Sequence, residues 1–213
     1  MLFSQVETVN GWDFPSTLAL LGVYLLIGAL HNLVIGPSLD LLAGMDGDVW
    51  SGKLDFTLIR PLDTQFLVSL RRRRLFSLLD LALGIGVLGV ALSRLSQALT
   101  LLRTAGFLVA LLVAVTILYA VLLSFTALVF WSPGVLFTWV FDGVFQMARY
   151  PLGLYPGWLG LALTWIIPVG AITTIPAGTL PSLALMTVFS IVLLLAASAL
   201  FRFGVRHYQS ASS

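Results

Sequence analysis

Residues 105–131 read AGFLVALLVAVTILYAVLLSFTALVFW, with no charged side chain anywhere in the run. A helix of this length crosses the roughly 30 Å hydrocarbon core of a bilayer. Working outward, similar apolar runs lie at 75–93, interrupted only by Asp80, at 16–36, and at 182–201. Composition agrees: of 213 residues 59% are hydrophobic and 9% charged, with a mean hydropathy of +1.05, where soluble domains carry roughly 25% charged residues. The expectation is an all-α, polytopic helical membrane protein. An outer-membrane barrel would need short alternating strands, and these runs are too long and continuous for that. The chain has no cysteine, which excludes a disulfide framework and thiol chemistry. A net charge of +2 gives nucleic acid no footing. Residues 1–15 lack a basic segment and carry Glu7 and Asp13, unlike a cleavable signal.

Two more segments complete the reading. Residues 132–150 are apolar apart from Asp142 and Arg149 and are expected to form a further span, short for the task. Residues 158–181 are broken by Pro168, Pro176 and Pro181. Prolines remove backbone donors at a depth where no water can replace them, which favours a re-entrant helical hairpin over one through-helix. The expectation is therefore a single transmembrane domain over 1–213. It has five spans (16–36, 75–93, 105–131, 132–150, 182–201), a cytoplasmic region at 37–74, and an extracytoplasmic hairpin at 158–181. Orientation follows from the cations. Lys53, Arg60, Arg71, Arg72, Arg73 and Arg74 precede the second span, and Arg202 and Arg206 follow the last. Placing both groups in the cytoplasm, C-terminus included, closes the count of crossings only if 158–181 turns back.

Residues 47–63, GDVWSGKLDFTLIRPLD, form the longest polar interval in the chain. Trp50, Leu54, Phe56, Leu58 and Ile59 offer apolar anchors, Lys53, Asp55 and Arg60 a polar rim, and Pro61 a stop. A short helix of this kind seats in a groove on a partner or lies on lipid headgroups. The arginines 71–74, beside a span, read as a topology signal and an anionic-lipid anchor. Asp80 follows Arg74 by about two turns and is expected to pair with that run. Asp142 precedes Arg149 by seven residues, about two turns, and is placed to approach it along one helix face. Both acids, with Arg149, are candidate pathway residues, because charge inside a membrane is expensive. His31 and Asn32 read as a polar pair at the end of the first span. Gly84, Gly86 and Gly89 match G-x-G-x-x-G, but no strand precedes them and Val109 stands where the acid belongs. Small-residue helix packing is the better reading. No phosphate-gripping loop, nucleophile elbow or metal-ligand spacing occurs, so no catalytic residue or metal site is expected.

Four separated motifs carry a family resemblance: Gly52-Lys-Leu-Asp-Phe-Thr-Leu-Ile-Arg-Pro-Leu62, Ala148-Arg-Tyr-Pro-Leu152, Ile167-Pro-Val-Gly-Ala-Ile172 with Ile175-Pro-Ala177, and Tyr208-Gln-Ser-Ala-Ser-Ser213. Together they resemble the permease subunits of bacterial type-2 ABC exporters, in particular the uncharacterised transport-system permease branch. The resemblance implies six spans, of which the first is missing from the front of this chain. It implies a coupling helix within 47–63 and an outer gate at Pro168 and Pro176. The implied partners are a cytoplasmic ABC ATPase dimer, a second permease subunit and membrane lipid, in the bacterial inner membrane. This chain would hold no cofactor; ATP and Mg belong to the ATPase. An integral membrane enzyme or scaffold acting on lipid is the competing reading.

Overall fold

Lipid is the solvent that shapes these helices, so several are apolar on every side and their sequences do not say which face is buried. A computed structural model describes residues 14–94, 100–134, 137–150, 154–168, 172 and 180–208, without the side chains of 137, 138 and 180–182. Helix α1 (Phe14–Leu30) passes through a π-helical turn (His31–Ile35) into α2 (Gly36–Leu39) and a 3-10 turn (Asp40–Leu42). Two short helices follow, α3 (Asp55–Leu58) and α4 (Thr64–Ser69), then the long α5 (Ser77–Arg94). Helix α6 (Leu101–Ala127) ends in a 3-10 turn (Leu128–Phe130), and α7 (Phe137–Phe145) tightens into another (Gln146–Arg149). Helices α8 (Gly157–Trp165) and α9 (Leu180–His207) complete the chain, and no strand occurs among the described residues.

The π turn has a local cause. Pro37 has no amide hydrogen for the Leu33 carbonyl four residues back, and its ring crowds that carbonyl. The helix widens instead, and the Gly36 N–H donates to the His31 carbonyl five residues away.

Packing relies on small residues. Helices α1 and α5 run antiparallel with backbones in contact: a Cβ on Gly22 would lie 3.0 Å from Leu88 backbone atoms, and one on Gly84 would lie 2.9 Å from the Leu26 nitrogen. Gly86 and Gly89 meet nothing within 4 Å, so only Gly84 of that motif packs. Helix α6 forms the axis, burying Ala110, Ala114, Ile117, Leu118, Leu122 and Leu123. Helix α9 lies beside α6 and points the same way. Phe130 stands 5.4 Å from Phe201 and 6.2 Å from Tyr208 between ring centroids, and also blocks the space above Gly204. Helix α7 opposes α1, with Phe145 stacked on Tyr24 at 5.1 Å and Phe141 edge-on to His31 at 5.9 Å.

These directions fix the topology. The Gly44 N–H donates to the Pro133 carbonyl at 2.9 Å, so the segment after α2 and the end of α6 meet. The end of α9 joins them, and residues 43–76 lie across this same end of the bundle. Because α6 and α9 are parallel, the chain between them must recross the bundle. Of the span expected at 132–150, the described part is α7 with its 3-10 turn, which rises about 20 Å against a hydrocarbon core of roughly 30 Å. Among the described residues four helices are long and apolar enough to cross, Phe14–Leu42, Ser77–Arg94, Leu101–Phe130 and Leu183–His207. The 132–150 segment stops early because Tyr150 precedes Pro151 and is forced out of the helical region, to φ −110° and ψ 146°. Of the segment expected as a hairpin, α8 and the buried Pro168 are described; Pro176 and Pro181's side chain lie outside the described residues.

Candidate coupling face

The segment after α2 turns back on itself through Gly44 and Gly52, whose φ angles of 83° and 72° other residues rarely adopt. Its backbone is tied to the bundle. The Asp48 N–H donates to the Leu41 carbonyl at 2.8 Å, and the Leu54 N–H donates to the Asp48 carbonyl at 3.1 Å. Val49, Leu54 and Thr57 point inward and are buried. The Asp48 carboxylate, 7% exposed, forms an ion pair with Arg71, whose side chain is 43% exposed. Asp63 caps α4 by accepting from the Phe66 N–H at 3.1 Å. This is a fixed appendage of the bundle, with α3 reduced to a single turn.

The outward side is apolar with a charged edge. Trp50, Phe56, Ile59, Leu62 and Phe66 are exposed, Phe56 by 72% and Ile59 by 79%, and Lys53, Arg60 and Pro61 are exposed around them. Asp55 is half-buried. The anchor set read from the sequence therefore changes. Leu54 is fully buried and so not available to a partner, and Leu58 is half-buried against the core. Leu62 and Phe66 were missed, although the spacing 56, 59, 62, 66 is close to a helical period. Pro61 hid it by breaking the helix between them.

Behind α4 lies a polar cluster that the sequence did not announce. Gln65 Nε2 donates to both the Tyr119 hydroxyl and Ser198 Oγ, at 3.1 Å each, and Ser69 Oγ lies 2.7 Å from the same tyrosine oxygen. Arg202 sits 3.6 Å from Asp63. These groups line a cavity of about 390 Å³ between α4, α6 and α9. They lock the 43–76 segment to the two parallel helices, since buried polar groups left unbonded here would be costly.

The intramembrane charges find other partners than expected. Arg71 is held by Asp48, and no ion pair joins Asp80 to the arginine run. Asp142 does not meet Arg149. Its Oδ1 lies 3.3 Å from His31 Nε2, while the Arg149 guanidinium sits 5.6 Å above the Tyr24 ring. The change from α to 3-10 geometry at Gln146 advances each residue by about 20° more, which swings Arg149 off the Asp142 face. His31 is thus tied to Asp142 and not simply to its neighbour Asn32. Its Nδ1 is buried without a partner among the described residues, and an ionised Asp142 carboxylate, which can only accept, takes a hydrogen from Nε2. No three metal-ligating side chains gather among the described residues.

The sequence of the chain also matches that of a known family. The family model of the ABC-2 family transporter proteins matches residues 1–212. The chain belongs to the ABC-2 transporter family. This ABC-2 permease is thus the membrane component of an ABC transporter, a multi-pass membrane protein that is not itself an enzyme and whose family implies an ABC ATPase partner. Comparison of the ABC-2 permease with curated proteins and with solved structures gave no match.

Proposed function

We propose that this ABC-2 permease is the membrane-spanning subunit of an ATP-driven exporter in the bacterial inner membrane. Residues 47–66 dock in a groove of a cytoplasmic ATPase dimer, which alone binds ATP and Mg. A second permease subunit completes the cargo route. The apolar character of the spans favours a hydrophobic or amphiphilic cargo. Pro168 and Pro176 contribute to an outer gate at the end opposite the ATPase, and the C-terminus of α9 lies in the cytoplasm.

One observation carries this reading. An exposed apolar face made of Trp50, Phe56 and Ile59 is pinned to the bundle end by buried Leu54 and the Asp48–Arg71 pair. A rigid element of this kind transmits force, whereas a loose loop would absorb it. Eight of the eleven basic residues lie at this end, which favours its placement in the cytoplasm. The test is Trp50→Asp with Phe56→Asp, assayed by co-purification with the candidate ATPase and by ATP turnover in the reconstituted complex. Truncating such anchors typically costs 2 kcal/mol or more each, so the complex and its turnover should be lost while the permease stays folded. An intact complex with unchanged turnover would sink the coupling role. Leu54 and Leu58 are unsuitable for this test, because charging them would damage the subunit's own core.

A further inference from the structure

The four consecutive arginines have different roles. Arg71 is held by Asp48. Arg72, Arg73 and Arg74 are exposed, and no ion pair ties them to a carboxylate among the described residues. Their backbone, however, is clamped. Ser38 is 1% exposed, and its hydroxyl donates to the Arg72 carbonyl at 2.8 Å and accepts from the Arg72 N–H at 3.0 Å. The Arg74 N–H donates to the Leu33 carbonyl at 3.0 Å, the oxygen that Pro37 leaves without its usual helical donor. Three guanidinium groups are therefore presented from a fixed strip of chain where α5 enters the bundle.

Below them lies a cleft of about 560 Å³. The arginines form one rim; Leu75, Phe76 and Leu79 form the wall, 68%, 89% and 73% exposed; Asp80 stands at the foot. A cationic rim directly above an exposed apolar wall, at the first turn of a spanning helix, fits a molecule with an anionic head and hydrocarbon tails. Guanidinium groups match phosphate oxygens in pairs. The Asp80 carboxylate, also on the lining, repels an anion beside it, so the phosphate belongs with the arginines and the tail with the apolar wall.

We propose that residues 72–79 form a binding site for one anionic phospholipid, its phosphate held by Arg72, Arg73 and Arg74 and an acyl chain lying along Phe76 and Leu79. The site is independent of the coupling face, and its test needs no ATPase. The full chain, purified into phosphatidylcholine nanodiscs, is titrated with fluorescent phosphatidylglycerol. Binding should saturate at one lipid per chain and should resist competition by phosphatidylcholine, which has the tails without the net charge. Inorganic phosphate, which has the anion without the tails, should not compete either.

Arg72→Gln with Arg73→Gln and Arg74→Gln should weaken binding on the order of a hundredfold, at about fivefold per arginine near a membrane surface. Phe76→Asn removes no charge and, at a side chain this exposed, no core packing, yet it should also weaken binding severalfold. The control is Lys53→Gln with Arg60→Gln and Arg206→Gln, which removes three charges from the same end and should leave binding within about twofold. If that control weakens binding as much as the arginine triple, only a diffuse surface field is at work and the site does not exist. Competition by inorganic phosphate overturns the lipid assignment in favour of a free anion, and unchanged binding by Phe76→Asn removes the acyl wall from it.

Discussion

Gly36 decides where His31 can sit. A Cβ at position 36 would lie 2.7 Å from His31 Cε1, so Gly36→Ala must push the ring and break its contact with Asp142. Overpacking of this kind costs about 1–3 kcal/mol. Once the ring has moved, adding Asp142→Asn should cost little more, because the two changes act on one interaction. Thermal unfolding of both single variants and the double in detergent checks this, and strictly additive losses would refute it. The Asp48–Arg71 pair makes a second, asymmetric case. Arg71→Gln leaves a 7% exposed carboxylate without a counter-charge, whereas Asp48→Asn leaves a half-exposed arginine in reach of water. The first should cost about 2–3 kcal/mol and the second about 1 kcal/mol, the usual figures being discounted because Arg71 is partly solvated. Equal losses in the same unfolding assay would mean that burial of Asp48 is not what matters. All four residues were visible as polar letters in an apolar chain. Their pairing was not, because partners 23 and 111 residues apart meet only through the fold.

Elements repeat the lesson at a larger scale. Gly84, Gly86 and Gly89 look equivalent in the sequence, yet only Gly84 touches α1. Gly84→Val should force α1 and α5 apart at the Leu26 backbone and destabilise the subunit by about 1–3 kcal/mol. Gly86→Ala and Gly89→Ala should be neutral or stabilising by up to about 1 kcal/mol, since alanine favours a helix interior over glycine. Loss of stability in all three alike would contradict the packing described for α5. Helix α7 shows the converse. A seven-residue spacing on a regular helix would bring Asp142 and Arg149 together, but the helix changes pitch between them ahead of Pro151. The stop was legible in the proline; the altered rotation was not.

At the scale of the whole molecule, the parallel course of α6 and α9 places the 43–76 segment and the end of α9 together. The chain contains no cysteine, so single cysteines can be introduced without background. Lys53→Cys and Arg206→Cys should react with an impermeant maleimide from the same side of the membrane, and Leu101→Cys, at the start of α6, from the other. Labelling of positions 53 and 206 from opposite sides would break the topology and the coupling proposal with it.

Composition and the spacing of apolar runs were enough to name the solvent, the helical class, the long helices and the basic end. Those features follow from what each residue loses or gains on leaving water, and that needs no neighbour. Which face of each helix is buried, which glycine makes contact, that α6 and α9 run the same way, and which acid meets which base came only with the packed bundle. In lipid the outside of a helix is as apolar as its inside, so hydrophobicity carries no direction, and close backbone approach and long-range polar partners supply it instead.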